Sequence, residues 1–307
     1  MEQEAGIEIG ITIPYFAPNI PATLPTFDEI EAGEVLEAHY DGDWKISLVG
    51  DHFMVKYGDT ENLSLIEGEH MMFVTKATNS RVKVPTVYAL YTSTDGETPR
   101  NFIVMERIKG VTLDTLWTSL EEPEKQAIAS RLKGYFKELR SIPAPGYYGS
   151  IGRRPTIIGS SLISRTNGAI DDKAFDSEDE FNKALARNLI QGTSAPALRL
   201  QLYLRLMNTV LKNHPPCFTY GNFSTEGVMV QGLGLNGEDV KVDELREFGF
   251  ELTLFNWQDS GWLPTYWEYI SATFEVGFDD EWHLWIANIV PTFEAEFCLF
   301  QTLYGAS

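Results

Sequence analysis

The stretch FTYGNFSTEGVMV, residues 218–230, decides how the rest of this chain is interpreted. Apolar residues stand at both of its ends, and Gly221, Asn222 and a run of small polar residues lie between them. We expect Gly221 to shape a turn, and Phe223 and the following strand to pack in a core. The stretch therefore predicts a polar loop that is anchored on both sides by apolar chain.

The composition describes a folded and strongly acidic chain. Its 307 residues carry 24 basic and 44 acidic side chains, which gives a formal net charge of −20. A surface this acidic repels phosphate backbones and anionic lipid, so we expect neither nucleic acid nor a membrane as a partner. The length suits one large domain or two lobes around a sizeable core.

The cysteines and the N-terminal residues bear on the cellular location. Cys217 and Cys298 are too few and too far apart for a disulfide framework or a metal site. The first residues, MEQEAGIEIGITIPYF, show neither the basic region nor the apolar core of a signal peptide. Since no apolar run reaches the roughly 18 residues of a membrane span, we expect a cytoplasmic protein.

The first third of the chain is predicted to be rich in strands. Residues 1–34 are acidic and interrupted by prolines, so we expect an irregular N-terminal arm there. One helix is predicted within 62–78. Strands are predicted at 44–50, 52–58, 87–93 and 101–108.

The remainder is predicted to be mostly helical. Ser119 and Glu122 have the spacing of a capping box at the start of the first long helix. A Gly-, Pro- and Ser-rich loop is expected over 143–176, and a short strand pair after the 218–230 loop. Helices are predicted over 119–142, 178–213, 267–274 and 280–304, the last interrupted at Pro291. These patterns divide the chain into an arm (1–34), an N-lobe (35–108) and a C-lobe (109–307).

A small strand-rich lobe, a short hinge and a larger helical lobe describe the α+β protein kinase-like fold, and several motifs resemble one family that has it. The chain resembles the aminoglycoside phosphotransferase family, and most of all its fungal branch. The resemblance covers the chain from about residue 35 onward. It is carried by VKYG (55–58), VPTVYALYT (84–92), NFIVMERIKGVTLDTLW (101–117), LRSIPAPGYYGSIG (139–152), FTYGNFS (218–224) and FNWQDSGWLPTYWEY (255–269).

The resemblance implies a phosphate-side ion pair in the N-lobe. Lys56 stands in the middle of a predicted strand, and an acidic helix with Glu67 and Glu69 follows it. A strand lysine paired with a helix glutamate holds the nucleotide phosphates in kinases. Glu67 is the better match for the family's glutamate, and Glu69 is the alternative. The competing interpretation of Lys56 is a solvated residue of an edge strand.

The family's catalytic positions are altered in this chain. Its catalytic loop reads H-G-D-L-x-x-x-N, which places Tyr220 at the histidine, Asn222 at the catalytic aspartate and Gly227 at the metal-binding asparagine. Its later I-D-W motif places Asn256 at the aspartate that holds Mg²⁺. The sequence therefore resembles a degenerate member that lacks the catalytic and metal-binding aspartates.

These changes remove the groups that phosphoryl transfer requires. The reaction needs positioned metal charge on the triphosphate, and Mg²⁺ prefers carboxylates and phosphates to neutral amides. Gly227 offers no side-chain ligand, and Asn222 cannot act as a base. We therefore expect no metal site, no ATP or Mg²⁺ cofactor and no ordinary phosphotransfer.

Two features leave alternatives open. Asp259 and Glu226 lie close in sequence to the altered positions and could replace the lost ligands, or could be solvated or capping acids. The acidic segment 231–252 is longer than the family's usual hairpin. It is either a flap that binds a protein partner or a solvated loop. The N-terminal arm is the other segment through which we would expect a protein contact.

Three functions fit these residues. The first is binding of a small-molecule metabolite in the old acceptor pocket, with a non-phosphoryl step such as cyclisation or isomerisation in fungal specialised metabolism. The second is a non-catalytic pseudokinase with a regulatory or scaffold role. The third is an unconventional small-molecule O-phosphotransferase that uses shifted carboxylates. The candidate pocket residues are Lys56, Glu67, Tyr220, Asn222, Asn256, Gln258, Asp259, Trp262 and Tyr266.

Overall fold

The structure of this protein is a computed structural model, and it describes residues 11–38, 43–96, 98–156, 172–190, 196–233, 240–275 and 281–305. The described chain forms two compact units. One consists of Ile9–Ser119 and Val228–Phe255 and is called the sheet unit here. The other contains Leu120–Gly227 and Asn256–Ser307 and is called the helical unit.

The elements follow one another along the chain as follows. The strands are β1 (Tyr15–Phe16), β2 (Glu34–Ala38), β3 (Trp44–Val49), β4 (Phe53–Asp59), β5 (Val87–Ser93), β6 (Arg100–Glu106), β7 (Val111–Thr112), β8 (Pro216–Thr219), β9 (Val228–Gly232), β10 (Phe250–Leu254) and β11 (Gly261–Pro264). The helices are α1 (Phe27–Glu31), α2 (Ile66–Ala77), α3 (Leu113–Trp117), α4 (Glu122–Arg140), α5 (Glu178–Leu189), α6 (Pro196–Val210), α7 (Val242–Phe248), α8 (Trp267–Glu275), α9 (Trp282–Ile289) and α10 (Glu294–Gly305).

The sheet unit is built on a six-stranded antiparallel sheet in the order β1-β5-β6-β4-β3-β2. Alternate residues of β4, namely Phe53, Val55 and Tyr57, pack in an apolar cluster on one face. Lys56 therefore points to the opposite face. Because β3 and β6 pair with both sides of β4, Lys56 lies in an interior strand and not on an edge.

Helix α2 lies close to β5 because Gly68 leaves room for it. A Cβ atom at Gly68 would stand 2.2 Å from Cδ2 of Leu90, a side chain of β5 that is fully buried. This close approach fixes the helix that carries Glu67 against the sheet. The sheet unit is completed by a smaller sheet in the order β10-β9-β7.

The helical unit encloses a large aromatic core. Helices α5, α6, α8 and α10 pack around Phe181, Trp267 and Phe300, all nearly or fully buried. Helix α4 packs on α9 and on β8, which pairs with β11. The 220–227 loop thus leaves the end of β8 inside this unit and is supported by it.

Most predicted elements are present within one or two residues, and three predictions need correction. Residues 15–16 and 27–31, predicted to be irregular, form β1 and the capped helix α1. The helix predicted over 178–213 is two helices, α5 and α6, and residues 191–195 between them lie outside the described residues. The capping box of α4 uses Glu121 and Glu124, not Ser119 and Glu122, because Pro123 fits the first helical turn.

The remaining predictions about organisation stay predictions. The lobe boundaries are not tested by the structure, and residues 1–10 and 157–171, parts of the predicted arm and loop, lie outside the described residues. Among the helices that the structure describes, none combines the length and the apolarity needed to cross a bilayer.

We predict that Gly68→Ala destabilises the protein by about 1–3 kcal/mol, because the new methyl group meets a buried leucine. The matched control is Gly134→Ala in α4, where the new methyl group meets nothing within 4 Å. That change should stabilise the protein by about 0.5–1 kcal/mol through helix propensity. Urea denaturation of both variants measures the difference, and equal effects would contradict this packing.

Candidate functional site

The ion pair predicted between Lys56 and Glu67 is formed in the sheet unit, and its role at nucleotide phosphates stays a prediction. The Nζ atom of Lys56 lies 2.7 Å from Oε2 of Glu67, and it stands 4.5 Å from the ring centroid of Trp44. Lys56 is 1% exposed, which excludes the solvated-edge interpretation. Glu69 is also buried on α2. A buried ion pair is costly to break, because removing one partner strands the other charge.

The start of the 220–227 loop is hydrogen-bonded to a buried carboxyl group that the sequence did not predict. Glu268, in the first turn of α8, accepts hydrogen bonds from the backbone N–H groups of Tyr220 (2.7 Å) and Gly221 (3.1 Å). Ser260 Oγ donates to the Tyr220 carbonyl oxygen at 2.7 Å. These contacts are made to backbone atoms of the loop, so they do not require a particular side chain at Tyr220.

Gly221 has a backbone conformation that favours glycine. Its φ of +86° lies in the left-handed region, and a Cβ atom there would stand 2.4 Å from the carbonyl oxygen of Asp259. Both the backbone conformation and the space therefore require glycine. This contact also packs the 220–227 loop against the chain that follows Asn256.

The Tyr220 hydroxyl stands where the side chain of a larger residue at position 227 would lie. Tyr220 is fully buried, its ring packs edge-on against Trp257 at 4.7 Å, and its hydroxyl donates to the Gly227 carbonyl oxygen at 3.4 Å. A Cβ atom at Gly227 would stand only 2.6 Å from that hydroxyl oxygen. Any side chain at position 227 would therefore collide with the tyrosine that stands at the family's histidine position.

Three half-buried residues of the helical unit carry side-chain amides. Asn222 follows Gly221 in the loop, and Asn256 and Gln258 follow β10. Asn256 has a φ of +63°, a left-handed conformation that asparagine tolerates better than most residues. An amide supplies neutral hydrogen-bond donors and acceptors, which orient a bound molecule but bring no charge.

Several predicted pocket residues lie in the core. Trp262 and Tyr266 are almost completely buried, and the Tyr266 ring packs edge-on against His214 at 4.8 Å. Asp259 is also buried. Phe223 packs against Phe136 at 4.5 Å, as expected for a core residue. Ligand binding by the buried members of the predicted set stays a prediction.

His214 forms a second polar cluster that the sequence did not predict. Its Nδ1 atom lies 2.7 Å from Oε1 of Glu178, and its Nε2 atom lies 3.1 Å from Oε1 of Glu296. The two glutamates stand in the first turns of α5 and α10. The imidazole therefore connects two helix starts.

The three positions to which the sequence resemblance assigns catalysis and metal binding carry no acidic side chain. They hold two amides and Gly227, where a Cβ atom would stand 2.6 Å from the Tyr220 hydroxyl. The absence of a magnesium–nucleotide site stays a prediction. In the described part of the chain, no three His, Cys, Asp or Glu side chains come together as a metal site would require. Glu226, one of the two acids considered as a replacement ligand, is exposed.

The acidic segment 231–252 contains a short helix, α7, that the sequence did not predict. Asp243 and Glu247 are exposed, as a solvated segment requires. Residues 234–239, which include Glu238 and Asp239, lie outside the described residues. A role in binding a protein partner stays a prediction.

Comparison with known proteins identifies the fold. No family profile and no curated protein matches the chain. A candidate fructosamine-3-kinase from Haemophilus somnus 129PT is similar in structure, with a TM-score of 0.54 and 16% identity over 87% of this chain and 80% of its own. The GDP and kanamycin complex of APH(2")-IIia has a TM-score of 0.56 and 15% identity over 91% and 84%. The GDP complex of wild-type aminoglycoside 2'-phosphotransferase-IIIa has a TM-score of 0.50 and 14% identity over 89% and 88%.

This chain therefore has the α+β protein kinase-like fold of known small-molecule kinases, as the sequence predicted. Identities this low show the fold alone. The loss of catalytic groups and the likeness to a fungal branch are not shown by these neighbours.

We predict that Gly227→Ala destabilises the protein by about 1–3 kcal/mol, because the new methyl group stands 2.6 Å from the Tyr220 hydroxyl. Tyr220→Phe removes that oxygen, and the nearest ring atom that remains, Cζ, stands at an ordinary 3.6 Å. The double variant should therefore lose less stability than the sum of the single variants. Denaturant unfolding of the wild type, the two single variants and the double variant measures this coupling. Additive losses of stability would contradict the predicted clash between a side chain at position 227 and the Tyr220 hydroxyl.

We also predict a pH-dependent contribution from Glu268. Burial raises the pKa of its carboxyl from 4.5 to about 7, although the N–H groups of Tyr220 and Gly221 and the Arg140 charge lower it. Between these two pH values the Glu268 carboxyl is protonated in the folded state and ionised in the unfolded chain. The stability this proton confers is complete below pH 4.5 and is lost as the pH rises through about 7, a change on the order of 3 kcal/mol.

Glu268→Gln is the control for this prediction, since glutamine does not titrate. Unfolding free energies of both proteins, measured by urea denaturation from about pH 5 to about pH 8, should show the wild type losing more stability than the variant. Parallel curves would contradict the assignment to Glu268.

Proposed function

We propose that this chain is a kinase-fold protein that has lost ATP- and Mg²⁺-dependent phosphotransfer and binds a small-molecule metabolite through neutral polar groups. The observation that carries the proposal is the contact between Tyr220 and Gly227. A side chain at position 227, where the resemblance implies a metal ligand, would meet the hydroxyl group of a buried tyrosine. This packing supports the proposed loss of the metal site.

The polar groups that replace the acids support small-molecule binding. Asn222 and Asn256 retain hydrogen-bonding groups in half-buried positions and remove two negative charges. Fixed neutral donors can orient a substrate or stabilise a developing oxyanion. We therefore propose a non-phosphoryl step, such as a cyclisation or an isomerisation. Its place in fungal specialised metabolism rests on the sequence resemblance.

A second candidate function is a non-catalytic scaffold. It is favoured by apolar side chains on the outer strands of the large sheet. Val35 and Leu36 on the edge strand β2 are 51% and 49% exposed, and Phe16 on the opposite edge strand is 53% exposed. Exposed apolar residues on the edge strands of a sheet suit a protein contact.

A third candidate, an unconventional O-phosphotransferase, depends on Asp259. This carboxylate is buried near the altered positions and is the remaining acid that could replace a lost metal ligand. It is the weakest of the three, because transfer also needs a base, and Asn222 cannot supply one.

We predict that ATP stabilises the protein equally, or not at all, with and without Mg²⁺. A ligand at about 100 times its dissociation constant adds roughly 2.7 kcal/mol of stability, so a shift of the thermal midpoint would be seen easily. The matched control is Asn222→Asp combined with Asn256→Asp, which restores both carboxylates and leaves Tyr220 and Gly227 in place. Stabilisation of the wild type that requires Mg²⁺ would contradict the proposal.

A further inference from the structure

A groove in the helical unit lies between α4 and the segment that joins α9 to α10. The groove has a volume of about 560 Å³, within the range of pockets that hold small organic molecules. Its floor is apolar and consists of Phe136, Ile289 and Val290, each nearly buried. Ala287 and Pro291 form an exposed apolar rim.

One wall of the groove is basic. Lys133, Lys137 and Arg140 stand on one face of α4, because residues three and four apart in a helix are neighbours. Ser141 and Thr292 add hydroxyl groups. Among the described residues that line the groove, none is an aspartate or a glutamate. This is unusual for a chain with 44 acidic and 24 basic side chains.

The two lysines of the groove are available to a ligand. Neither Lys133 nor Lys137 forms an ion pair with a described residue, and both are exposed. Arg140 donates to the Thr265 carbonyl oxygen at 3.1 Å, which fixes its position, and its charge also acts on the buried Glu268 carboxyl. Two of the three cations lie in the last turn of α4, where the helix dipole favours them. The dipole explains neither Lys133 nor the apolar floor.

We propose that this groove binds an amphiphilic monocarboxylate, a small molecule with an apolar body and one anionic head. The apolar floor removes the body from water, and the lysines receive the carboxylate with charge-assisted hydrogen bonds. A membrane surface fits less well, because a chain of net charge −20 is repelled by anionic lipid. A neutral apolar ligand would leave the basic wall unused.

The groove is also connected to the 220–227 loop. Phe136 in its floor packs against Phe223 at 4.5 Å, and Phe223 packs against Trp282 at 5.4 Å. Phe223 is the neighbour of Asn222 in the loop. A molecule that packs against Phe136 in the groove therefore also supports the contact between Phe136 and Phe223 of the loop.

Decanoate below its micelle concentration is the probe, and decanol is its neutral counterpart. We expect calorimetry to show decanoate binding at least tenfold tighter than decanol, and weaker as NaCl is raised. The variant Lys133→Gln with Lys137→Gln should lose at least tenfold in affinity for decanoate, about 1.4 kcal/mol. The matched control is Lys173→Gln with Lys212→Gln, two exposed lysines outside the groove, which should bind as the wild type does.

A third variant, Ala287→Trp, fills the groove from its exposed rim and should abolish binding of both probes. Thermal unfolding confirms that each variant is folded. Failure of the wild type to bind decanoate would overturn the proposal, and so would equal losses in the two double-lysine variants. Binding to vesicles of phosphatidylcholine and phosphatidylserine that depends on Lys133 and Lys137 would overturn it in favour of a membrane surface.

Discussion

The loop at the centre of this protein depends on one buried carboxylate. Glu268 accepts hydrogen bonds from the backbone N–H groups of Tyr220 and Gly221. These groups lie inside a core, where an unpaired polar group would be costly. The hydrogen bonds are made to the backbone, so they do not depend on what stands at Asn222 or Gly227. This explains how the loop can keep its shape while its chemical groups change. Backbone atoms make the hydrogen bonds that position the loop, whereas side-chain atoms determine its chemistry.

The changes within the loop also depend on one another. The buried Tyr220 hydroxyl has room where it stands because Gly227 has no side chain. The ring then packs against Trp257, the residue after Asn256, so the packing extends from the loop to the second altered motif. In the sheet unit, by contrast, Lys56 and Glu67 keep the pair that resembles the kinase arrangement. The Lys56–Glu67 pair is thus present in the sheet unit, whereas Gly227, where the resemblance implies a metal ligand, is packed against Tyr220.

The sequence predicted the parts of the structure that have a regular pattern. Strands β3 to β6 and helix α2 were found because their apolar residues alternate or recur at helical spacing, and Lys56 was placed in a strand for the same reason. Glu268 was missed, because its partners are backbone atoms 47 and 48 residues away and its burial has no signal in a motif that reads TYWEYI. The contact between Tyr220 and Gly227 was missed because a loop has no period. The groove on α4 was missed because two distant segments form it, and its basic wall resembles the ordinary charged end of a helix.

The central claim is that this loop no longer holds a metal-bound nucleotide. Electron paramagnetic resonance of Mn²⁺ with ATP tests it directly, because Mn²⁺ takes the same oxygen ligands as Mg²⁺ and its signal changes on binding to protein. We expect the spectrum of the Mn²⁺–ATP complex to stay unchanged as the protein is titrated in. A signal from the free complex that falls in proportion to added protein, and stops falling at a fixed ratio of metal to chain, would contradict the claim.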